Sequence, residues 1–283
     1  MASEAHVHGG TQAAGVLVSA MWSYASTVLL PAQALKRSGL FRPTRVGDEI
    51  APPPAPGLGP RFCRESSRPV LLEHASAHDH LVDEFDRMAE IYDAFVERFS
   101  RPIFAEALLE MAPFLRPQSR VLDAGCGAGR ELREVAARVP DGEVVGIDLA
   151  AGMVNAAHRS ARAHGLANVA FHQSDVGELP ATFDGQFDVV YSSLAHHHYP
   201  DPPAATAAIF RCLRPGGVYC VVDPGPAWFN LMSAPLAKWA DPGWIGFHTP
   251  DQFRGLFRDH GFARTAWIEL LPGFGLAVGQ KLP

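Results

Sequence analysis

Val121-Leu122-Asp123-Ala124-Gly125-Cys126-Gly127-Ala128-Gly129-Arg130 is the stretch from which the rest of the chain is read. It predicts a short buried strand, a glycine loop and the first turn of a helix reaching about Val139. Three glycines at alternate positions remove the side-chain bulk that would hold a ligand away from the backbone. The helix behind them directs N–H groups and a positive dipole end toward the loop. Asp123 closes the strand, at the edge where open α/β sheets take their ligands. A cofactor site is therefore expected here.

Strands and helices alternate downstream. Strands are expected at Glu143–Asp148, Val169–Ser174, Phe187–Ser192 and Val218–Asp223, with helices at Ala151–His164 and Ala204–Leu213 between them. Alternation of this kind means parallel strands joined by helical crossovers. Thr249-Pro250-Asp251-Gln252 is a helix start with Thr as cap, and Gly261 ends that helix. Phe262–Leu270 and Phe274–Lys281 are strands joined only by Leu271-Pro272-Gly273, so they run antiparallel. Upstream, Leu81, Phe85, Met88, Tyr92, Phe95 and Phe99 recur at helical spacing, Arg101-Pro102 predicts a break, and a second helix carries Ile103 to Leu115.

Residues 1–80 are harder to read. A helix is expected over Gln12–Arg37, followed by an extended linker at Ala51-Pro52-Pro53-Pro54-Ala55-Pro56-Gly57-Leu58-Gly59-Pro60. Gly15–Leu30 is apolar, but too short for a span and without a basic leader, so neither a signal nor a membrane anchor is expected. The segment reads as a loosely held appendage, or as a lid or dimerisation arm that would make a homodimer. The whole chain has 283 residues and a net charge of −6, which argues against a nucleic-acid partner. Four cysteines without CxxC spacing suit a reduced cytoplasmic setting.

The glycine spacing is G-x-G-x-G rather than the G-x-G-x-x-G that seats a pyrophosphate. An acid ahead of it, Asp123, suits an ammonium group instead. Asp148, at the end of the next strand, is placed to grip ribose hydroxyls. Asp175, one strand further, is placed to read an exocyclic amine. Three acids at three strand ends describe a ligand with an amine, a ribose and a base, but no phosphate. A nicotinamide-dependent oxidoreductase is the rival that this pattern disfavours.

On these residues the chain from about Phe85 to Lys281 resembles the class I S-adenosylmethionine-dependent methyltransferases, particularly the ubiquinone/menaquinone-biosynthesis branch of small-molecule enzymes. Asp123-x-Gly125-x-Gly127-x-Gly129 matches the first motif of that family, Asp148 its ribose acid, Ser174-Asp175-Val176 its adenine contact, and Leu213-Arg214-Pro215-Gly216-Gly217 its turn into the fifth strand. The resemblance implies a Rossmann-like, doubly wound α/β fold. Its sheet would be mostly parallel and seven-stranded, with one antiparallel strand near the edge. A helical N-terminal extension (1–80) would precede the methyltransferase domain (81–283). It implies S-adenosyl-L-methionine as cofactor, with Tyr92, Leu149, Met153 and Ser192 joining the motif residues around it. A methyltransferase-like protein that binds this cofactor for another reaction, such as a cyclisation, is the second alternative.

The acceptor side rests on Ser192-Ser193-Leu194-Ala195-His196-His197-His198-Tyr199-Pro200, just past the fourth of these strands. One of His196, His197 and His198 is a candidate general base, with Tyr199 and Asp223 as further candidates. A structural role in capping the strand is the alternative. No metal is expected, since ligand companions at recognisable spacing are missing. Residues 225–248 read as an inserted lid whose Trp228, Trp239 and His248 would contact an apolar or aromatic acceptor.

Overall fold

The computed structural model describes residues 28, 30–38, 44–52, 92–240 and 243–283. Its elements are α1 (Leu30–Arg37), β1 (Arg45–Gly47), α2 (Tyr92–Met111), β2 (Arg120–Ala124), α3 (Arg130–Ala136), β3 (Glu143–Asp148), α4 (Ala151–Ala163), β4 (Val169–Gln173), β5 (Phe187–Ser193), α5 (Pro202–Cys212), β6 (Leu213–Pro224), α6 (Ala227–Ala240), α7 (Pro250–Asp259), β7 (Arg264–Leu271) and β8 (Phe274–Gln280). One eight-stranded sheet runs in the order β1-β7-β8-β6-β5-β2-β3-β4. The pairs from β6 through β4 are parallel, whereas β6–β8, β7–β8 and β1–β7 are antiparallel.

The expected doubly wound sheet is present, with one strand more than the seven anticipated. That strand is β1, whose Val46 lies opposite Trp267 on the outer edge of β7. It is reversed like β8, so two strands run against the rest rather than one. Three exposed residues carry no hydrophobic period, which is why β1 is silent in the sequence. Preceding it, α1 docks on α2: Lys36 and Gln33 both reach Glu106, at 2.9 and 3.1 Å, and Ala32 enters the core. The rest of the expected Gln12–Arg37 helix and of the proline linker lies outside the described residues.

The break expected at Arg101-Pro102 does not occur, and α2 runs through Pro102. A proline inside a helix costs roughly 3 kcal/mol. Beyond it, Ile103, Phe104, Ala107, Leu108 and Met111 are all buried. At roughly 1.5–3 kcal/mol per large apolar side chain, that face outweighs the proline.

The sheet separates two apolar layers. One contains α2, α3 and α4 side chains such as Leu108, Leu132 and Ala157, and the other α5 and α7 side chains such as Ile209, Phe253 and Phe257. The cap expected at Thr249 is a full capping box with Gln252. The Leu213–Gly217 turn is a bulge inside β6: Leu213 faces Phe187 and Val218 faces Val189, so residues 214–217 loop out opposite Asp188. An Arg214–Asp188 ion pair holds it. Among the described residues, no helix is long and apolar enough to cross a membrane.

Candidate active site

The ends of β2, β3, β4, β5 and β6 meet along one edge, where the glycine loop, Asp148, Asp175, Ser192, the His196–His198 turn and Asp223 lie. Gly125, Gly127 and Gly129 all adopt positive φ, at 81°, 50° and 73°. They serve different purposes. A Cβ on Gly125 would lie 2.7 Å from Ala195 Cβ, and one on Gly129 would press on Ala157 and Phe171. Only at Gly127 would a Cβ meet nothing within 4 Å. So Gly127 borders open space, while the other two glycines allow the loop to pack against the β5–α5 connection and α4.

The loop amides are already used. Gly125 N and Cys126 N donate to Ile147 O, Gly127 N donates to Asp148 Oδ2 at 2.9 Å, and Gly129 N donates to Cys126 O. A dinucleotide site needs such amides for its pyrophosphate, and here protein oxygens take them, which weighs against the oxidoreductase alternative.

Asp148 also accepts from Ala150 N at 2.9 Å, so its carboxylate ties the glycine loop to the start of α4. A carboxylate has roughly four acceptor sites, so these two bonds are compatible with gripping ribose hydroxyls. Asp175 caps the turn at Val176–Glu178, accepting from Gly177 N at 2.7 Å. Val176 is buried against Leu179, and Met153 packs with Ala150 and Ala128 beside the loop. Leu149 is half-buried and its carbonyl accepts from Gln173. Tyr92 begins α2, but its side chain lies outside the described residues, as does that of Trp239.

Asp123 is only 3% exposed, and Tyr191 donates to it at 2.6 Å. Burial raises its carboxyl well above the ordinary range, Tyr191 partly offsets this, and Glu131 and Asp148 add to it. Glu131, in the first turn of α3, is raised to about 7, mainly by burial, while the hydroxyls of Ser193 and Ser100 and the charge of Arg130 moderate the rise. Two desolvated acids side by side fit a cation, such as an ammonium or sulfonium, and not an anion. Sequence reading missed both Tyr191 and Glu131. Tyr191 is the register partner of Asp123 across β2–β5, which requires knowing the pairing. Glu131 follows Gly129 by two residues and looks like an ordinary acid of a first helical turn.

On the other side of the edge, β5 ends and Leu194 turns with φ 51°, the one positive-φ residue other than glycine among the described residues. Its N–H bonds to Val222 O, and Ala195 leads into a short turn at His196–His198. Strain of this kind, of order 1–3 kcal/mol, collects at functional sites. The three histidines do not all point apart: His196 has its own ring neighbours, whereas His197 and His198 lie against each other. His197 Nδ1 lies 2.6 Å from Asp223 Oδ1 at the end of β6, with both side chains buried. His196, 1% exposed, sits among the rings of Tyr199, His248 and Phe253, and burial holds it well below the usual imidazole range. The ring of His198 lies 4.2 Å from that of His197.

Tyr199 donates to Ala124 O at 2.8 Å and lies 2.9 Å from Ser192 Oγ. Burial pushes its phenol up, so it stays protonated and ties the histidine turn to the end of β2. Ser192 is fully buried as its partner. The segment after α6 closes over the turn: Ile245 N donates to His197 O, and Phe247 lies against the rings of His197 and Trp244. Trp228 points elsewhere, 52% exposed on α6 beside Leu231 and Met232.

The parallel sheet, the glycine loop with its following acid and the cation-suited pair at its head together define the class I methyltransferase architecture. Residues 115–243 match the family described as "Methyltransferase domain". The chain is 44% identical over 143 residues to Nocamycin O-methyltransferase from Saccharothrix syringae, covering 50% of each chain. It is 39% identical over 109 residues to Trans-aconitate 2-methyltransferase from Deinococcus radiodurans, covering 38% of this chain and 39% of that one. It is 27% identical to Demethylmenaquinone methyltransferase from Symbiobacterium thermophilum, covering 70% and 90%. The match thus spans half or less of the first two relatives' lengths. Among solved structures, a SAM dependent methyltransferase from Aquifex aeolicus aligns with TM-score 0.55 and 20% identity over 70% of this chain and 98% of that one. An O-methyltransferase family protein from Burkholderia thailandensis aligns with 0.59 and 21% over 72% and 63%. The chain has the fold of the class I S-adenosylmethionine-dependent methyltransferases, whose cofactor is S-adenosyl-L-methionine.

Proposed function

We propose that this protein transfers a methyl group from S-adenosyl-L-methionine to an oxygen of a small, largely apolar or aromatic metabolite. The observation that carries this reading is the buried His197–Asp223 pair on the same sheet edge as Gly127, Asp148 and Asp123. Asp148 would hold the ribose hydroxyls, the Gly127 opening would admit the nucleoside, and Asp123 with Glu131 would face the positive end. When bound, the cofactor supplies a methyl group already activated by its sulfonium charge. The chain's own residues then contribute alignment, exclusion of water and removal of a proton. Asp223, beside His197 Nδ1, would orient and polarise that imidazole as the general base toward an acceptor hydroxyl. Residues 243–248 cover that imidazole and α6 adjoins them, together acting as a lid.

Two of the relatives that share half or more of their length with this chain are named for O-methylation or quinone methylation, which supports a small-molecule acceptor. The buried free thiols of Cys126, Cys212 and Cys220 support a reducing cytoplasm as its setting. The test is a calorimetric titration with S-adenosyl-L-methionine, followed by an S-adenosylhomocysteine-release assay across acidic hydroxyl acceptors. Donor binding by the wild type, abolished in Asp148→Ala, is expected. In His197→Gln, kcat should fall by about 10²–10³ with donor affinity unchanged. Undiminished donor affinity in Asp148→Ala would refute the cofactor site, and wild-type turnover in His197→Gln would refute the base.

A further inference from the structure

Glu131 stands beside the glycine loop without a place in the sequence motif. Gly129 turns the chain with φ 73°, and the first turn of α3 puts Glu131 just beyond it. Its carboxyl faces Ser193 at the end of β5 and the buried Ser100 of α2, and Asp123 lies close enough to feel its charge. Tyr191 and Ser193 share one face of β5, because side chains two positions apart in a strand point the same way. Tyr191 reaches Asp123 at 2.6 Å. So Asp123 takes the inner position and Glu131 the outer one, on the side from which the chain turns toward His196–His198. A methyl group passing from donor to acceptor crosses between those two sides.

The titratable and charged groups around Glu131 are Asp123 and Tyr191 from the sheet and Glu134 and Arg130 on its own helix; Ser193 and Ser100 are neutral hydroxyls. Asp123 has a phenol as its bonded partner, and among the described residues no ion pair neutralises either acid. Two carboxyls in one desolvated pocket do not both ionise freely. Glu131 accordingly rises to about 7, chiefly through burial. What a ligand brings then decides its charge. S-adenosyl-L-methionine and S-adenosylhomocysteine both carry an ammonium and a carboxylate, which cancel. They differ in the sulfonium charge, which the donor has and the thioether product lacks.

We propose that Glu131 tells the methyl donor from its product by charge, standing ionised against the sulfonium and protonated against the thioether. This rests on the methyl-transfer reading and adds a specificity-determining residue to it. Asp123 would meet the ammonium that both ligands share, so it does not distinguish them. When the methyl group leaves, the carbon–sulfur bond breaks, its electron pair stays on sulfur and the positive charge disappears. The Glu131 carboxylate then takes a proton from water, and the next donor to bind expels that proton back to water. The proton cycles and nothing is consumed. The product is left with one attraction fewer than the donor, which favours its release.

The experiment is titration calorimetry of S-adenosyl-L-methionine and S-adenosylhomocysteine on the wild type and on Glu131→Gln, in two buffers of different ionisation enthalpy. In the wild type the preference for donor over product should grow about tenfold between about pH 6 and pH 8, because at the lower pH the donor must expel a proton that the product leaves in place. Near pH 6 the donor should also release more protons on binding than the product does, by most of one proton per site. In Glu131→Gln the preference should change less than about twofold over the same range, and the difference in proton release should vanish. Titration of the ligands' own amines persists in the variant and is subtracted there. A merely structural Glu131 would move both affinities together and leave the pH dependence of their ratio in place. A pH-independent ratio in the wild type, or a pH-dependent one that survives in Glu131→Gln, would overturn the proposal. Failure of the wild type to bind either ligand would sink the methyltransferase reading itself, whereas binding of both with a flat ratio would sink only the assignment of Glu131.

Discussion

Glu131 is expected to be a stability liability kept for binding, and Glu131→Gln should expose both halves of that bargain. Its carboxyl rises from 4.5 to about 7, chiefly through burial. The sign follows from linkage: the folded protein holds this proton more tightly than the unfolded chain, so stability is greatest below about pH 4.5 and falls as pH rises toward 7. A rise of this size costs about 3 kcal/mol once the group is ionised, at about 1.4 kcal/mol per factor of ten. Glutamine keeps the shape without the charge. At pH 8 the variant should gain roughly 2–3 kcal/mol over the wild type, and at pH 5 under about 1 kcal/mol. For a chain of this size that is roughly 4–6 °C in Tm at pH 8 and 1–2 °C at pH 5. Thermal scans at the two pH values read this difference directly. S-adenosyl-L-methionine affinity should move the other way, weakening about tenfold or more at pH 8, because an ionised acid beside Asp123 attracts a cation. Equal Tm gains at both pH values, or a variant less stable at pH 8, would refute the account of Glu131 as a strained, desolvated acid.

Asp148→Asn should weaken donor affinity about 10²-fold by calorimetry, because an amide nitrogen cannot accept both from the loop and from a ribose hydroxyl. Asp223→Asn should lower kcat about tenfold or more while leaving the donor Kd unchanged, since it frees the His197 tautomer. Gly127→Ala should fold with a loss of only about 1–2 kcal/mol from its positive φ yet lose donor binding in the same titration. Gly125→Ala should lose more stability in chemical denaturation, because its Cβ would collide with Ala195. Gly225→Ala should be among the most destabilising single changes, by about 3 kcal/mol, because the added Cβ would lie 2.1 Å from the buried Trp267 ring.

The doubly wound sheet was legible because hydrophobic strands, glycine turns and periodic helices repeat in order, and each is a local signal. The positions of Asp123, Asp148 and Asp175 at successive strand ends were legible for the same reason: the end of a strand is also where its apolar run stops. The continuity of α2 through Pro102 was not legible, because a proline reads as a break until the burial of Ile103, Phe104 and Met111 is known. Nor was β1, whose three exposed residues are recruited by the free edge of β7 rather than by any pattern of their own.

The histidine run shows the same division. Sequence marked His196-His197-His198 as unusual and Asp223 as a strand-end acid, but 26 positions separate His197 from its partner. Only the adjacency of β5 and β6 brings them to 2.6 Å and makes His197 the one of the three paired with Asp223. Likewise Asp123-Ala124-Gly125-Cys126-Gly127-Ala128-Gly129 by itself made a glycine loop headed by an acid at a strand end the expectation. The tertiary structure decided which glycine has open space beside it, that the amides of Gly125, Cys126, Gly127 and Gly129 are already bonded, and that Tyr191 and Glu131 act on Asp123. The reason is physical: chain-local chemistry sets which conformations a segment can adopt, whereas burial and cross-strand register set which groups lose water and which neighbour replaces it.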